Sequence, residues 1–278
     1  MLHGTPLEST KDEFELFEKA FGRLLKIDGT LKIKLDEPIV VQTILNKLEV
    51  DNSANKTKLS FLKEILASRM RHWSSPSSQG FYWELFLGLA FIELRNEDWS
   101  RLFGRVVNLH LKVKCLRQPK GAVLSTSNKY SLFEWLQQKP TTFYMPHNFA
   151  GPDLVFFVET EAKGPVVVFA QFKFAIEENW ENAFATTDPL NFFTYKTGKL
   201  AGKVVSTHTK EYESINAAMA KVEHIGLLVS YPVSFSKVKQ FSYFRNRNRF
   251  QVLIDSRNIH TLVESKYLML FNNLKNKS

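Results

Sequence analysis

Four polar side chains interrupt otherwise apolar segments in the middle of the chain. Asp153 begins one apolar run, and Gln171 and Lys173 end the next. Glu84 is a lone carboxylate inside a third apolar stretch, Phe81 to Ile92. Burying an unpaired polar group costs about 1–3 kcal/mol, and an unpaired charge costs more. These groups must therefore satisfy one another or hold something from outside.

Two interpretations of this set stay open on residue types and spacing alone. In the first, Asp153 and Lys173 form an ion pair at a sheet end while Glu84 faces solvent. In the second, two carboxylates, an amide and an ammonium serve one divalent cation and a general base or electrophile. Hard oxygen donors suit Mg²⁺, which takes one or two carboxylates and completes its shell with water and substrate phosphate.

The elements that must position these groups are two strands, residues 153–160 and 166–174. A five-residue loop, Glu161 to Pro165, predicts that Asp153 lies opposite Lys173. Gln171 then shares their face, since residues two apart point to the same side. A four-residue loop would instead put Asp153 on the face of Phe172.

Hydrophobic spacing predicts the other elements. Apolar residues all round the stretch 81–92 indicate a buried helix. The remaining predicted helices are 11–26, a segment after Pro38, 59–70, 131–139, 177–200, 208–222 and 263–274. The remaining predicted strands are a segment that runs from Thr30 toward Pro38, 104–114, 225–231 and 249–255.

The order of these elements predicts an α/β domain with a central sheet covered by helices on both faces. The polar stretch Asp51–Lys58 is typical of a linker. We therefore divide the chain into a small N-terminal piece, residues 1–55, and a main domain, residues 56–278.

Composition and charge narrow the classes of function. The formal charge is +9, and residues 201–278 hold 12 basic and five acidic side chains, which favours a polyanionic partner or else a basic solvated surface. The apolar stretch 81–92 is well short of the roughly 20 residues of a membrane-spanning helix. Cys115 is the single cysteine, which excludes an internal disulfide and predicts an inert buried thiol. The N-terminus lacks a secretory pattern, so we expect an intracellular or processed protein.

The residues "GFYWE" on a buried helix, "GPD" entering a strand and "QFK" in the next strand resemble the PD-(D/E)xK nuclease superfamily. The likeness is to the variant that has Gln at the acidic third position. The resemblance implies a restriction-endonuclease-like fold, in which a mixed central sheet is flanked by helices. It also implies a Mg²⁺-dependent nuclease, with Mn²⁺ as an alternative ion, that cleaves DNA in preference to RNA as an endonuclease.

The same resemblance assigns roles residue by residue. Glu84 and Asp153 would be metal ligands, Gln171 a weakened third ligand and the main-chain carbonyl of Phe172 a further one. Lys173 would position or activate the attacking water. The neutral amide of Gln171 lowers the charge of the site, so the alternative function is a weakly active or inactive nucleic-acid-binding module with the nuclease fold.

The layout is also similar to nuclease domains of Crinkler-type effectors of fungi and oomycetes, where such a domain follows a P-loop NTPase domain. The stretch "DEPIVVQTILNKL" resembles the winged-helix-like end of that NTPase domain, although no GxxxxGK[ST] phosphate loop occurs. This likeness implies an NTPase domain in a longer parent or relative, and secretion to a host nucleus.

Basic residues mark where a nucleic acid would lie. A helix carrying "DPLNFFTYKTGKLAGK" would present Lys196, Lys199 and Lys203. In an extended "YFRNRNRF", Arg245, Arg247 and Arg249 would lie on one side and contact successive phosphates. A solvated basic face and a charged edge strand are the structural alternatives. Sequence spacing does not group the histidines at 147, 208 and 224 into a site, and we expect them to have structural roles.

Overall fold

The protein is described here from a computed structural model. It describes residues 23–27, 30–34, six positions of a helix between 60 and 70, and residues 76–275 except 104–112, 118–122, 128, 148, 161–163, 176–178, 196–198 and 245–247. The chain divides into two compact units, Met1–Glu49 and Val50–Ser278. The predicted linker and the helix after Pro38 lie outside the described residues.

The first unit contains an antiparallel pair of strands, β1 (Arg23–Ile27) and β2 (Thr30–Lys34). The prediction of β2 is confirmed. The prediction of a helix over 11–26 is wrong at its end, because residues 23–26 are in β1. Ile27 pairs with Thr30 across Asp28-Gly29, a dipeptide that favours a two-residue hairpin loop over continuation of a helix.

The second unit is built on one mixed sheet of eight strands in the order β4-β5-β6-β7-β8-β10-β9, with β3 paired to β6. Strand pairs β4–β5, β7–β8 and β8–β10 are parallel, and the other pairs are antiparallel. The strands are β3 (Val113–Cys115), β4 (Leu124–Thr126), β5 (Phe143–Met145), β6 (Leu154–Thr160), β7 (Gly164–Ala175), β8 (His224–Pro232), β9 (Phe241–Phe244) and β10 (Arg249–Ile254).

Besides the partly described helix between 60 and 70, six α-helices accompany the sheet in the described part of the second unit. They are α1 (Pro76–Glu93), α2 (Asn96–Phe103), α3 (Leu132–Gln138), α4 (Trp180–Ala185), α5 (Thr209–Met219) and α6 (Ser265–Lys275). None of the described helices is long and apolar enough to cross a membrane.

Helices cover both faces of the central strands. On one face, Phe172 of β7 stacks against Phe91 of α1, with ring centroids 5.7 Å apart. On the other face, Phe169 of β7 belongs to a buried cluster with Leu132 of α3 and Ile215 of α5. A sheet buried on both faces explains why β6 and β7 are near-continuous apolar runs. The predicted α/β class with a doubly covered mixed sheet is confirmed, while its restriction-endonuclease-like topology stays a prediction.

The predicted helix over 177–200 is wrong beyond Ala185. The helix α4 ends there, and one 3₁₀ turn follows, Pro189–Asn191. Proline disfavours helical geometry in the residue before it, and Asp188 is extended, with φ −98° and ψ 120°. Thr194 then pairs with Val204 in an antiparallel bridge.

Other predictions had mixed outcomes. The helices near 81–92, 131–139, 208–222 and 263–274 are confirmed, as are the strands near 225–231 and 249–255. Of the predicted strand 104–114, only Val113–Cys115 is described as a strand, and strands β4, β5 and β9 were not predicted. Cys115 is buried as expected, and burial raises the pKa of its thiol to about 12.

Arg249 is a buried clamp between β10 and the segment that follows α4. Its guanidinium donates to Asp188 Oδ2 at 3.0 Å, Phe184 O at 2.6 Å and Thr187 Oγ1 at 2.5 Å. A Cβ at Gly226 of β8 would overlap both Thr187 and the guanidinium, so only glycine leaves room for the clamp. The prediction that Arg249 joins an exposed arginine ridge is wrong, since the residue is 3% exposed.

Replacing Arg249 by Met should lower the free energy of unfolding by about 3–5 kcal/mol, because the buried carboxylate of Asp188 loses the positive charge that offsets its desolvation. Adding Asp188→Asn should recover part of that loss. Urea denaturation of the single and double variants measures both effects, with exposed Lys239→Met as control. A loss no larger than that of the control would contradict the clamp.

Candidate active site

Asp153 lies at the corner where β6 begins beside β7. Its backbone N–H donates to Ala170 O at 2.8 Å. Gly151 enters the corner with φ +108°, and a Cβ there would lie 2.6 Å from Thr186 O. The loop before Asp153 therefore needs glycine, both for its backbone conformation and for its close approach to the segment after α4.

The pairing of β6 with β7 differs from the predicted register. Thr160 pairs with Gly164, so the connection is two residues shorter than predicted. This register places Asp153 opposite Gln171 and not opposite Lys173. Because the shift is two residues, every side chain keeps its predicted face, and Asp153, Gln171 and Lys173 still share one side of the sheet.

Hydrogen bonds from β7 hold the Asp153 carboxylate. Its Oδ2 accepts from the amide Nε2 of Gln171 and from the backbone N–H of Phe172, the latter at 2.7 Å. The other end of the Gln171 amide, Oε1, accepts from Thr186 Oγ1 at 2.5 Å. Gln171 is 3% exposed, so both ends of a buried amide are satisfied by the protein.

Lys173 follows Gln171 by two residues and is partly buried. In the parallel ladder it is aligned with Ser230 of β8, which is wholly buried and whose hydroxyl has no hydrogen-bond partner within the described part of the chain. Lys173 therefore lies at the same sheet end as Asp153, and its backbone is aligned with that of a residue whose buried hydroxyl has no partner among the described groups.

Glu84 reaches this corner from α1, which packs against β7. Burial raises the pKa of Glu84 well above the ordinary 4.5, the negative charge of Asp153 raises it further, and the positive charge of Lys173 opposes the rise. The carboxyl of Glu84 therefore interacts electrostatically with both Asp153 and Lys173. One turn after Glu84, Gly88 lacks a side chain where a Cβ would lie 3.4 Å from Met145 Cε.

A hydrogen bond joins Asp153 to Gln171, strand period places Lys173 on the same face, and electrostatic interaction couples Glu84 to Asp153 and Lys173. Their chemical roles, including metal binding by Glu84, Asp153, Gln171 and the carbonyl of Phe172, stay predictions. No group of three His, Cys, Asp or Glu side chains arranged for a metal occurs among the residues described. Any cation here would rest on two carboxylates, with neutral oxygens completing the set.

The predicted nucleic-acid contacts are dispersed. Lys199 and Lys203 are exposed, but on a turn instead of a helix. Tyr195 N donates to Lys203 O at 3.0 Å and Gly202 N to Tyr195 O at 2.9 Å. Lys196, Arg245 and Arg247 lie outside the described residues, and Arg249 is the buried clamp.

Sequence reasoning missed several residues beside the corner. Thr186 orients the Gln171 amide, and its only signal is its place just before the helix-breaking Asp188-Pro189. His147 and His208, expected to be isolated, have ring centroids 5.4 Å apart. They are 61 positions apart in sequence, so no spacing rule could have paired them.

We compared the chain with known protein families, curated proteins and solved structures. No protein-family model, no curated protein and no solved structure matches the chain.

Changing Glu84 to Gln should stabilise the metal-free protein increasingly as pH rises above 4.5. With its pKa raised, folded Glu84 keeps a proton that the unfolded chain releases, so wild-type stability falls as pH rises from 4.5 toward the raised pKa. Gln mimics the protonated form and removes this loss. Urea denaturation across pH with EDTA measures the difference, with exposed Glu213→Gln as control, and a difference that is constant with pH would contradict the account.

Proposed function

We propose that this chain is a divalent-metal-dependent phosphodiesterase that cleaves nucleic acid, DNA in preference to RNA, as an endonuclease. The observation that carries the proposal is the corner at the start of β6. There Asp153 is fixed by two hydrogen bonds from β7, and the charges of Glu84 and Lys173 act on each other beside it. A second carboxylate beside Asp153 adds repulsion that a simple structural ion pair does not need.

The donor set fits Mg²⁺. Glu84 and Asp153 supply two carboxylates whose mutual repulsion helps to raise the pKa of Glu84, and a divalent cation would relieve that repulsion. The carbonyl of Phe172 would add a neutral oxygen, and Mn²⁺ takes the same donors. When bound, the ion would lower the pKa of a water molecule and neutralise charge on the phosphate oxygens.

The protein's own groups would orient the reactants. The Lys173 ammonium would hold the attacking water by hydrogen bonding and stabilise negative charge that builds on the phosphate. Asp153 keeps its orientation through the bonds from Gln171 and Phe172, so it needs no rearrangement when the substrate binds.

The hydrogen bonds of Gln171 favour a positioning role over direct ligation. Its amide nitrogen faces Asp153 and its oxygen faces Thr186. A flipped amide would place its oxygen against the carboxylate of Asp153, which is unfavourable until a cation lies between them. Gln171 would therefore act through Asp153.

Cleavage of supercoiled plasmid and of single-stranded DNA tests the enzyme. With Mg²⁺ we expect nicking that EDTA abolishes and that Asp153→Asn or Lys173→Met lowers by at least about a hundredfold. Glu159→Gln is the control, since Glu159 is on the same strand but pairs with Lys114 at 2.9 Å. If wild-type protein leaves both substrates intact at every divalent-ion concentration, the enzyme proposal is wrong.

The second candidate is a nucleic-acid-binding module without turnover, which the neutral Gln171 favours because it lowers the negative charge available for a cation. In that case the wild-type protein should retain DNA in a gel-shift assay while all of the DNA remains uncleaved.

The substitution Gln171→Glu distinguishes two possible roles of Gln171, positioning Asp153 and binding the metal. If Gln171 positions Asp153, a carboxylate at 171 loses the donated hydrogen bond, repels Asp153 and should lower the cleavage rate at least about tenfold. Thr186→Val should give a smaller loss that Thr186→Ser restores. If Gln171 is instead a ligand, Gln171→Glu should tighten the apparent affinity for Mg²⁺ and raise the rate, which would contradict the positioning role. Metal titration of the cleavage rate distinguishes the outcomes.

A further inference from the structure

A surface beside the candidate site combines exposed rings with exposed lysines. His147 and Phe149 precede Asp153 in the chain, and their rings stack with centroids 5.6 Å apart at 21°. Tyr195 approaches Phe149 at 67° and 6.4 Å. We call these three residues the aromatic ledge. Phe149 is 41% exposed, so part of its ring is accessible to a ligand.

Backbone hydrogen bonds fix the ledge to the corner. Phe193 N donates to Phe149 O at 2.7 Å, and Val205 N donates to Phe193 O at 2.7 Å. The ring of Phe193 stacks on His208, with centroids 4.8 Å apart. Backbone hydrogen bonds therefore tie Phe149, four residues before Asp153, to Phe193 and through it to Val205.

A basic turn, Lys199–Lys203, lies next to the ledge. The turn closes through Lys203 N donating to Leu200 O at 2.9 Å, and Gly202 takes the left-handed φ of +78° that such a turn requires. Lys199, Leu200 and Lys203 are all exposed. Because Tyr195 pairs with Lys203 through the backbone, the lysines and the rings belong to one surface.

The two chain segments that form this surface carry lysines and no acidic side chain. Residues 189–210 contain four lysines and no acidic residue, and residues 135–152 contain one lysine and no acidic residue. Glu211 lies beside His208 and is engaged within the protein, since its Oε2 is 3.6 Å from His208 Nδ1 and its Oε1 accepts from Leu132 N at 2.7 Å. A polyanion with exposed aromatic faces matches the surface better than a neutral or basic partner.

We propose that the aromatic ledge and the basic turn hold a single-stranded segment of nucleic acid, with an unpaired base stacked on Phe149 and phosphates at Lys199 and Lys203. This inference rests on the proposed function, because it names the strand form that the candidate site receives. Only an unpaired base can offer a free ring face to Phe149, whereas duplex bases already stack on each other. The ledge would place the unpaired nucleotide next to Asp153.

Fluorescence polarisation in EDTA, where metal-dependent cleavage cannot occur, measures binding alone. The probes are a short labelled single-stranded DNA and the duplex of the same sequence. Wild-type protein should bind the single strand more tightly, and Phe149→Ala should weaken that binding about tenfold while changing duplex binding little. Phe149→Trp should keep the affinity, and Phe149→Leu, which retains apolar bulk without a π face, should lose it as Ala does.

The lysines give a second, independent readout if Phe149→Ala fails to fold. Changing both Lys199 and Lys203 to Gln should reduce the slope of log affinity against log salt by about 1.4 for single-stranded DNA. Matched changes at two exposed lysines far along the strands from Asp153, Lys114→Gln and Lys221→Gln, should leave the slope unchanged.

Several results would overturn the inference. They are equal affinity for single strand and duplex, full binding by Phe149→Leu, an unchanged salt slope, or a dimer in solution that Phe149→Ala dissociates, which would assign the surface to a second copy of this chain. The experiments distinguish failure of the ledge proposal from failure of the nuclease proposal. Ledge-dependent binding without any cleavage refutes the nuclease alone, and metal-dependent cleavage with binding insensitive to Phe149→Ala refutes the ledge alone.

Discussion

The site depends on the bonds by which β7 holds one carboxylate oxygen of Asp153. The amide of Gln171 and the backbone N–H of Phe172 both donate to that oxygen, at the end of a sheet that is buried on both faces. The bonds exist only because the register of β6 and β7 sets Asp153 opposite Gln171. A one-residue slip would turn Asp153 to the other face and away from Gln171. Packing in the sheet thus fixes the chemistry at its end.

The elements around Asp153 contribute the other charges of the site. The helix α1 must bury its apolar sides against the sheet, and this packing carries Glu84 into the corner, where burial and Asp153 raise its pKa. Lys173 follows from the period of two along β7. The clamp of Arg249 on Asp188 ties the segment after α4 to β10, and the same segment presents Thr186 to Gln171. Stability elements and site elements therefore share a short stretch of chain.

Much of this was readable in the sequence, and the exceptions have physical causes. Buried runs and polar residues at their ends predicted β6, β7 and the grouping of Asp153 with Gln171 and Lys173. The predicted length of the β6–β7 loop was wrong because Gly164 and Pro165, residues that usually mark turns, are paired within the sheet. The prediction of a lysine-bearing helix up to residue 200 was wrong because proline at 189 disfavours helical geometry at Asp188. Arg249 was placed at the surface because charge alone does not reveal a partner 61 positions away.

The central claim is that Glu84 and Asp153 share one divalent cation. The most direct measurement is a crystal structure of the protein soaked in Mn²⁺, with the ion located by its anomalous scattering. The account predicts one peak between the two carboxylates, at about 2.1 Å from an oxygen of each, with Lys173 on the same side. A Glu84 carboxyl that donates a hydrogen bond directly to Asp153, with no anomalous peak between them at saturating Mn²⁺, would contradict it.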